Sequence, residues 1–303
     1  MLAIVIPYYK RTFFEATLRS LDNQTNKRFK VYIGDDASPE NPAGLLEKHK
    51  DKLDFHYYRF ETNLGGTSLV QEWERCLELT NDEEWVMILG DDDKLSNNFV
   101  EAFYNNLKDI EKFKINVIRY ATIKINEYDN AFSKPYINPK IEKSIDFLFR
   151  KLSGGTRSSL SEFIFRRKMV HLFRFKDFPL AWHSDVLAIL EFSNFGSIYS
   201  INESLVFVRS SGINISSRAD NLKLKNIATF KFYHYLLNKK LTYFDLNQRN
   251  ILYDRLEKCL LDNKKNMNYW IKLTSIYFVR IELKRYFNFL IKVYKSVKKM
   301  LNN

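Results

Sequence analysis

The chain has 303 residues, 45% of them hydrophobic and 16% aromatic, which suits one large domain with an appendage. Its two cysteines, Cys76 and Cys259, exclude a disulfide framework and a cysteine-based zinc cluster, and both are expected as small apolar side chains in a reducing compartment. The formal net charge of +12 lies in residues 220–303, where 18 Lys and Arg face 6 Asp and Glu, while residues 1–219 balance.

The chain opens on Leu2-Ala3-Ile4-Val5-Ile6-Pro7-Tyr8-Tyr9, a buried-strand pattern stopped by proline and followed by a loop. The run is too short for a secretory leader and lacks a basic start. Thr12 to Gln24 has helical spacing. Lys30-Val31-Tyr32-Ile33-Gly34 reads as a second strand, ending in Asp35-Asp36-Ala37-Ser38. Pro39 to Leu53 is helical, and Phe55 to Phe60 is a strand ending near Asn63-Leu64-Gly65-Gly66. Thr67 to Leu79 is helical and leads to the strand Trp85-Val86-Met87-Ile88-Leu89-Gly90. This alternation predicts an α/β fold with a parallel sheet, and ligands of such sheets gather beyond the carboxyl ends of the strands.

Asp91, Asp92 and Asp93 follow that fourth strand directly. Crowded carboxylates repel one another and must be neutralised or solvated. A hard divalent cation such as Mg2+ or Mn2+ would do this through oxygen ligands. A solvated acidic turn before the helix at 96–110 would do it too.

Beyond it, Ile115 to Ile125 reads as a strand and Asn126 to Lys140 as a polar loop. Ser144 to Leu152 reads as a helix. Ser153-Gly154-Gly155-Thr156 reads as a lid hinge or an ordinary turn. Leu160 to Phe165, Ser197 to Asn202 and Leu205 to Val208 read as strands. In Trp182-His183-Ser184-Asp185, Asp185 stands where a helix N-terminus would be capped, and His183 suits packing or acceptor contact. Arg209 suits either a diphosphate or a salt bridge.

From Asp220 onward the chain reads as helices. Val279, Leu283, Tyr286, Leu290, Val293, Val297 and Leu301 form one stripe, with Lys284, Arg285, Lys292, Lys295 and Lys299 largely on another face. Residues 267–303 therefore fit an anionic membrane surface or a docking helix with a solvated basic face. No groove-reading motif supports a nucleic-acid partner, and no run of about 18 uncharged apolar residues predicts a spanning helix.

The segments IVIPYY, IGDDAS, NLGG and ILGDDD, in this order and spacing, resemble the family 2 glycosyltransferases of the GT-A fold, over residues 1–215. The resemblance implies a GT-A catalytic domain: a Rossmann-like, mostly parallel sheet flanked by helices. Its nucleotide-sugar half would be about 1–110 and its acceptor half about 111–215, with a basic helical extension at 216–303. It implies an inverting, metal-dependent hexosyltransferase of the bacterial surface-polysaccharide type. The donor would be a nucleotide-sugar, with UDP favoured, and the acceptor a glycan or lipid-linked glycan. The enzyme would be cytoplasmic, at the inner face of the membrane where the tail draws it there.

Carried over residue by residue, Asp93 is the metal ligand, with Asp91 as a substitute, and Asp92 lies near the donor ribose or sugar. Pro7, Tyr8, Tyr9, Asp35, Asp36, Asn63, Gly65 and Arg209 fall on the donor side. Asp185 matches the family's catalytic base, with His183 as the second choice. Two departures stand out. Gly90 occupies the place of the family's first metal-motif aspartate, and Leu69-Val70-Gln71 replace the usual Ala-Arg-Asn. A sugar nucleotidyltransferase is the alternative enzyme, although the loop Pro7 to Arg11 lacks its glycines. A non-catalytic sugar- or membrane-binding scaffold is the other alternative.

Overall fold

The computed structural model describes residues 1–211 and 220–301, apart from the side chains of 297 and 299–301. Residues 212–216 of the expected closing stretch, the expected boundary at 215/216, and the Val297, Lys299 and Leu301 side chains lie outside that description. The chain forms two compact units, Met1–Asp177 with Ser184–Ala219, and Phe178–His183 with Asp220–Asn303.

The first unit is built on a nine-stranded sheet. Strands β1 (Leu2–Tyr8), β2 (Phe29–Asp35), β3 (Phe55–Arg59) and β4 (Trp85–Ile88) run parallel, in the order β3-β2-β1-β4. Helices α1 (Phe14–Asp22), α2 (Ala43–His49) and α3 (Leu69–Leu77) connect them. Parallel strands covered on both faces need apolar residues throughout, and β1 and β4 are buried almost end to end. Helix α1 buries Phe14, Thr17, Leu18 and Leu21 at three- and four-residue spacing. Ser68 caps α3 by accepting from the Gln71 amide at 3.1 Å.

The sheet continues beyond β4 through β8 (Phe163–Arg166), β6 (Val117–Ile125) and β9 (Ser197–Arg209) to β5 (Lys94–Leu95), with β7 (Ile141–Lys143) also on β9. β8 is antiparallel to both β4 and β6. Around it pack α4 (Phe99–Lys112), α5 (Ser144–Leu152), α6 (Arg167–Phe173) and α7 (Ser184–Phe192). Two strands were expected at 197–208, but one continuous β9 forms, and a bulge opposite Tyr120 and Ala121 absorbs the polar residues between them. The strand expected from Leu160 starts only at Phe163, because Leu160–Glu162 is a 3-10 turn closed by a capping box from Ser159.

Arg119 ties these outer strands together. Its side chain is buried and donates to Glu162 at 2.7 Å, to Asn138 at 2.6 Å and to Thr156 at 3.1 Å, and it also binds the Arg157 carbonyl. This pins the Ser153–Thr156 segment. Gly154, at φ 81, and the Gly155 amide, bonded to the Arg150 carbonyl at 2.8 Å, make a tight turn where a hinge was one expectation.

The second unit contains α8 (Leu222–Lys239), α9 (Leu246–Leu261), α10 (Met267–Val279) and α11 (Leu283–Leu301). Its core stacks Phe230 on Tyr269 at 3.8 Å and Tyr253 on Tyr277 at 5.5 Å. The stripe read from Val279 onward is broken, since the chain turns at Arg280–Glu282 with Ile281 at φ 57. Arg285 and Lys292, expected on a solvated basic face, pair with Asp254 and Glu257 of α9.

Removing one partner of a buried ion pair leaves the other charge unmatched, at a cost of about 3–5 kcal/mol. Arg119→Met is therefore expected to cost about 3 kcal/mol of stability, read as a lower urea midpoint at an unchanged slope. A loss below about 1 kcal/mol would show that Arg157 and the solvent replace Arg119.

Candidate active site

The strand order turns outward from β1 to β2 on one side and to β4 on the other, which opens a crevice beyond the carboxyl ends of β1 and β4. The turn Asp91–Asp93 lies at the end of β4. Asp91 Oδ2 accepts from the Tyr9 amide at 3.0 Å and from the Lys10 amide at 2.9 Å, so it closes the loop after β1. Thr17 of α1, fully buried, donates one hydroxyl to the Asp91 and Asp93 carbonyls, at 3.1 and 2.8 Å.

Asp93 is buried, and its Oδ1 accepts from the Arg209 amide at 2.8 Å. Burial first and the neighbouring Asp92 second push its carboxyl up to about 7, against the opposing Ser161, Arg209 amide and Arg157. Burial also pushes Asp91 up, to about 6. A Cβ on Gly90 would lie 3.0 Å from Asp92 Oδ1 and 3.4 Å from Asp93 Oδ2. Both oxygens thus lie beside the glycine that departs from the family pattern, and a larger residue there would crowd them. Among the described residues, no group of three or more His, Cys, Asp and Glu side chains is placed to hold a metal. Asp92 and Asp93 are the two carboxylates beside Gly90.

Arg209 was expected to suit a diphosphate. Its side chain is only 1% exposed. It donates to the Asp92 carbonyl at 2.9 Å and the Asn126 carbonyl at 2.7 Å, pairs with Asp129, and lies 4.2 Å from the Phe13 ring centre. It braces the acidic turn from within the protein.

The donor-side expectations separate in the same way. Tyr8 is fully buried, packed on Phe14 at 4.6 Å, and its hydroxyl donates to the Glu40 carbonyl at 2.6 Å. Pro7 lies in register with Gly34. Tyr9 is the exposed ring, at 37%. Asp35 is sealed under the surface, accepting from Ser38, Tyr57 and Arg59. Asp36 accepts from the Leu64 amide at 2.6 Å and the Gly65 amide at 3.0 Å, and pairs with Arg75. A Cβ on Gly65 would lie 2.6 Å from Asp36 Oδ2 and force the Asp36 carboxylate to move. Asn63 Oδ1 accepts from the Gly66 amide at 2.6 Å. Arg75, in turn, lies flat on Phe60 at 3.9 Å and binds the buried Glu72.

Asp185 stands in the first turn of α7, half-buried, with Lys151 and Glu162 as its charged neighbours. Burial raises its carboxyl above the ordinary range, Lys151 opposes the rise, and Glu162 adds to it. Glu162 also binds Arg157 at 3.1 Å, and Arg157 is the cation that lowers Asp93. One Arg–Glu pair therefore acts electrostatically on both carboxylates. His183 belongs to the second unit, where its ring stacks on Phe232 at 4.7 Å and its Nε2 lies 3.1 Å from the Thr229 hydroxyl. Thr17, Ser161, Arg75 and Arg157 were not foreseen, because each reaches the site from an element whose local pattern reads only as helix, turn or strand.

The glycosyl transferase family 2 model matches residues 3–171, more than half of the chain. Over 60 residues, 19% of this chain, there is 42% identity to the chondroitin synthase of Pasteurella multocida (strain Pm70), and the match covers 6% of that protein. The fold is similar to S. aureus TarS 1-349 in complex with UDP-GlcNAc, with a TM-score of 0.64 at 16% identity over 98% of this chain and 81% of that one. It is likewise similar to a structure of S. aureus TarS, with a TM-score of 0.60 at 15% identity over 86% of this chain and 43% of that one. The crevice between β1 and β4, its acidic turn and the family match over residues 3–171 lead to one conclusion: the chain belongs to glycosyl transferase family 2.

Proposed function

We propose that the protein is an inverting transferase that moves a sugar from a UDP-sugar to a hydroxyl of a glycan or lipid-linked glycan. The observation that carries this reading is the placement of Asp92 Oδ1 and Asp93 Oδ2 beside Gly90, at the end of β4 next to the strand crevice. TarS in complex with UDP-GlcNAc supports the choice of nucleotide. Residues of about 1–110 hold the donor, and 111–215 shape the acceptor side.

The site fits a hard divalent cation, Mn2+ or Mg2+. Its donors are carboxylate oxygens, and burial and Asp92 raise the Asp93 carboxyl, an effect that a bound positive charge would oppose. Asp92 and Asp93 would hold the ion, which supplies charge neutralisation to the departing diphosphate. Tyr9 and the Asn63–Gly66 loop, buttressed by Asp36 and Arg75, border the nucleoside. Asp185 takes the proton of the acceptor hydroxyl, whose oxygen then bonds to the anomeric carbon from the face opposite the leaving group. The bond from that carbon to the diphosphate oxygen breaks, and UDP leaves with the electron pair. A carboxyl raised by burial is a stronger base than an ordinary aspartate, as this step needs. Arg209 is a positioning residue.

Asp93→Asn is expected to cut manganese-dependent hydrolysis of a UDP-sugar by about 10²-fold or more. The metal-free variant should melt no lower than the parent at pH 8. A carboxyl whose folded pKa is raised stabilises the fold below its unfolded pKa, and that contribution fades as pH rises toward the folded value. Full manganese-dependent activity in this variant would remove Asp93 from the metal site.

Asp185→Asn is expected to lower kcat by about 10²-fold or more with donor KM nearly unchanged. In the parent, activity should fall as pH drops through a value above the ordinary carboxylate range, and this acid limb should vanish in the variant. A retained acid limb at normal kcat would assign the base elsewhere.

A further inference from the structure

Helix α11 is amphipathic twice over. One side packs on the second unit's own core through Phe289, which is buried beside Trp270 and Tyr277, and through Tyr286, 5.5 Å from Tyr277. At 100° per residue, the opposite side gathers Lys284, Phe287, Ile291, Tyr294, Lys295 and Lys298 within an arc of about 100°. All six are exposed, the three apolar ones at 64%, 52% and 67%. The turn before the helix exposes Ile281 as well, at 81%. The helix itself holds no acidic residue. Arg285 and Lys292, the other two basic side chains described on this helix, are engaged by Asp254 and Glu257 and lie toward α9.

A docking helix needs one apolar face, and α11 uses that face on α9 and α10. The second apolar stripe gains nothing from water, so its retention beside lysines calls for an occupant. We infer that this outer face is a reversible binding surface for an anionic lipid bilayer, on which the helix lies in the plane of the headgroups. Charge complementarity selects this occupant. Two copies meeting through the face would oppose lysine to lysine. A nucleic acid would pair with the lysines but leave Ile291 and Ile281 without an apolar partner. A bilayer takes the phenylalanine, isoleucine and tyrosine at the acyl boundary and the lysines at its phosphates. No helix among the described residues is long and apolar enough to cross a membrane, so attachment would be peripheral and screened by salt.

The test uses the full chain and vesicles of phosphatidylglycerol with phosphatidylcholine, by co-sedimentation. The parent should bind these vesicles, fail to bind pure phosphatidylcholine, and be released at about 0.5 M salt, where the Debye length is a few ångströms. F287S/I291S/Y294S should lose binding. K284Q/K295Q/K298Q should weaken the partition coefficient by about five-fold per lysine. Melting curves should match the parent, since all six side chains face outward; if the apolar variant melts early, the lysine variant carries the test. UDP-sugar hydrolysis without acceptor should be unchanged in both, so a failure here is separable from a failure of the proposed reaction. Equal vesicle binding by parent and both variants overturns the inference. So does equal binding to neutral vesicles, a parent dimer that the apolar variant makes monomeric, or binding to DNA or RNA with none to vesicles.

Discussion

The crowding of three carboxylates beyond β4 is the constraint on which the rest of this structure depends. Like charges about 4 Å apart repel by about 4 kcal/mol at the effective dielectric of a protein surface, so the turn persists only because its surroundings are arranged around it. Each neighbour handles a different part. Two backbone amides after β1 take Asp91, Thr17 binds two of the turn's carbonyls, and Arg209 grips the turn from beneath while its amide binds Asp93. These partners come from β1, α1 and the end of β9, elements far apart in the chain. An oxygen of Asp92 and an oxygen of Asp93 lie beside Gly90, 3.0 and 3.4 Å from where a Cβ would stand. The same repulsion is what the proposed cation would relieve.

The outer half of the sheet extends this logic. Buried ion pairs are costly to desolvate and are retained where they fix geometry. Arg119, Glu162 and Arg157 form such a chain, in which Arg157 lowers Asp93 and Glu162 raises Asp185. The Arg119 guanidinium also binds Thr156 and the Arg157 carbonyl, just beyond the Gly154–Gly155 turn. Titratable groups perturbed by burial and by specific partners, gathered beside a crevice, mark a functional site.

The first four strands and their helices could be read from the sequence because periodicity and strand-end chemistry are local signals. The runs LAIVIP and WVMIL stay apolar throughout, and polar residues appear only at their carboxyl ends. Departures came where tertiary contacts decide. The bulge in β9 depends on pairing with β6, and the late start of β8 on a capping box. Tyr8 and Asp35 stand in motif positions, yet one is buried in the core and the other is sealed by Tyr57 and Arg59. A motif specifies which residues are near a ligand and not which of them face it. Ser161, Thr17 and Arg157 carry no motif at all. The basic tail was legible as charge, but the division of its lysines and arginines between α9's acids and the outer face required the packing of α11.

The account is tested most directly by manganese binding followed by electron paramagnetic resonance, with and without UDP. It predicts that UDP brings about one Mn2+ per chain out of the free-ion signal, and that D92N/D93N abolishes this while the chain still melts cooperatively. Manganese uptake with UDP that is unaffected by D92N/D93N would contradict the claim that these two carboxylates, beside Gly90, hold the ion.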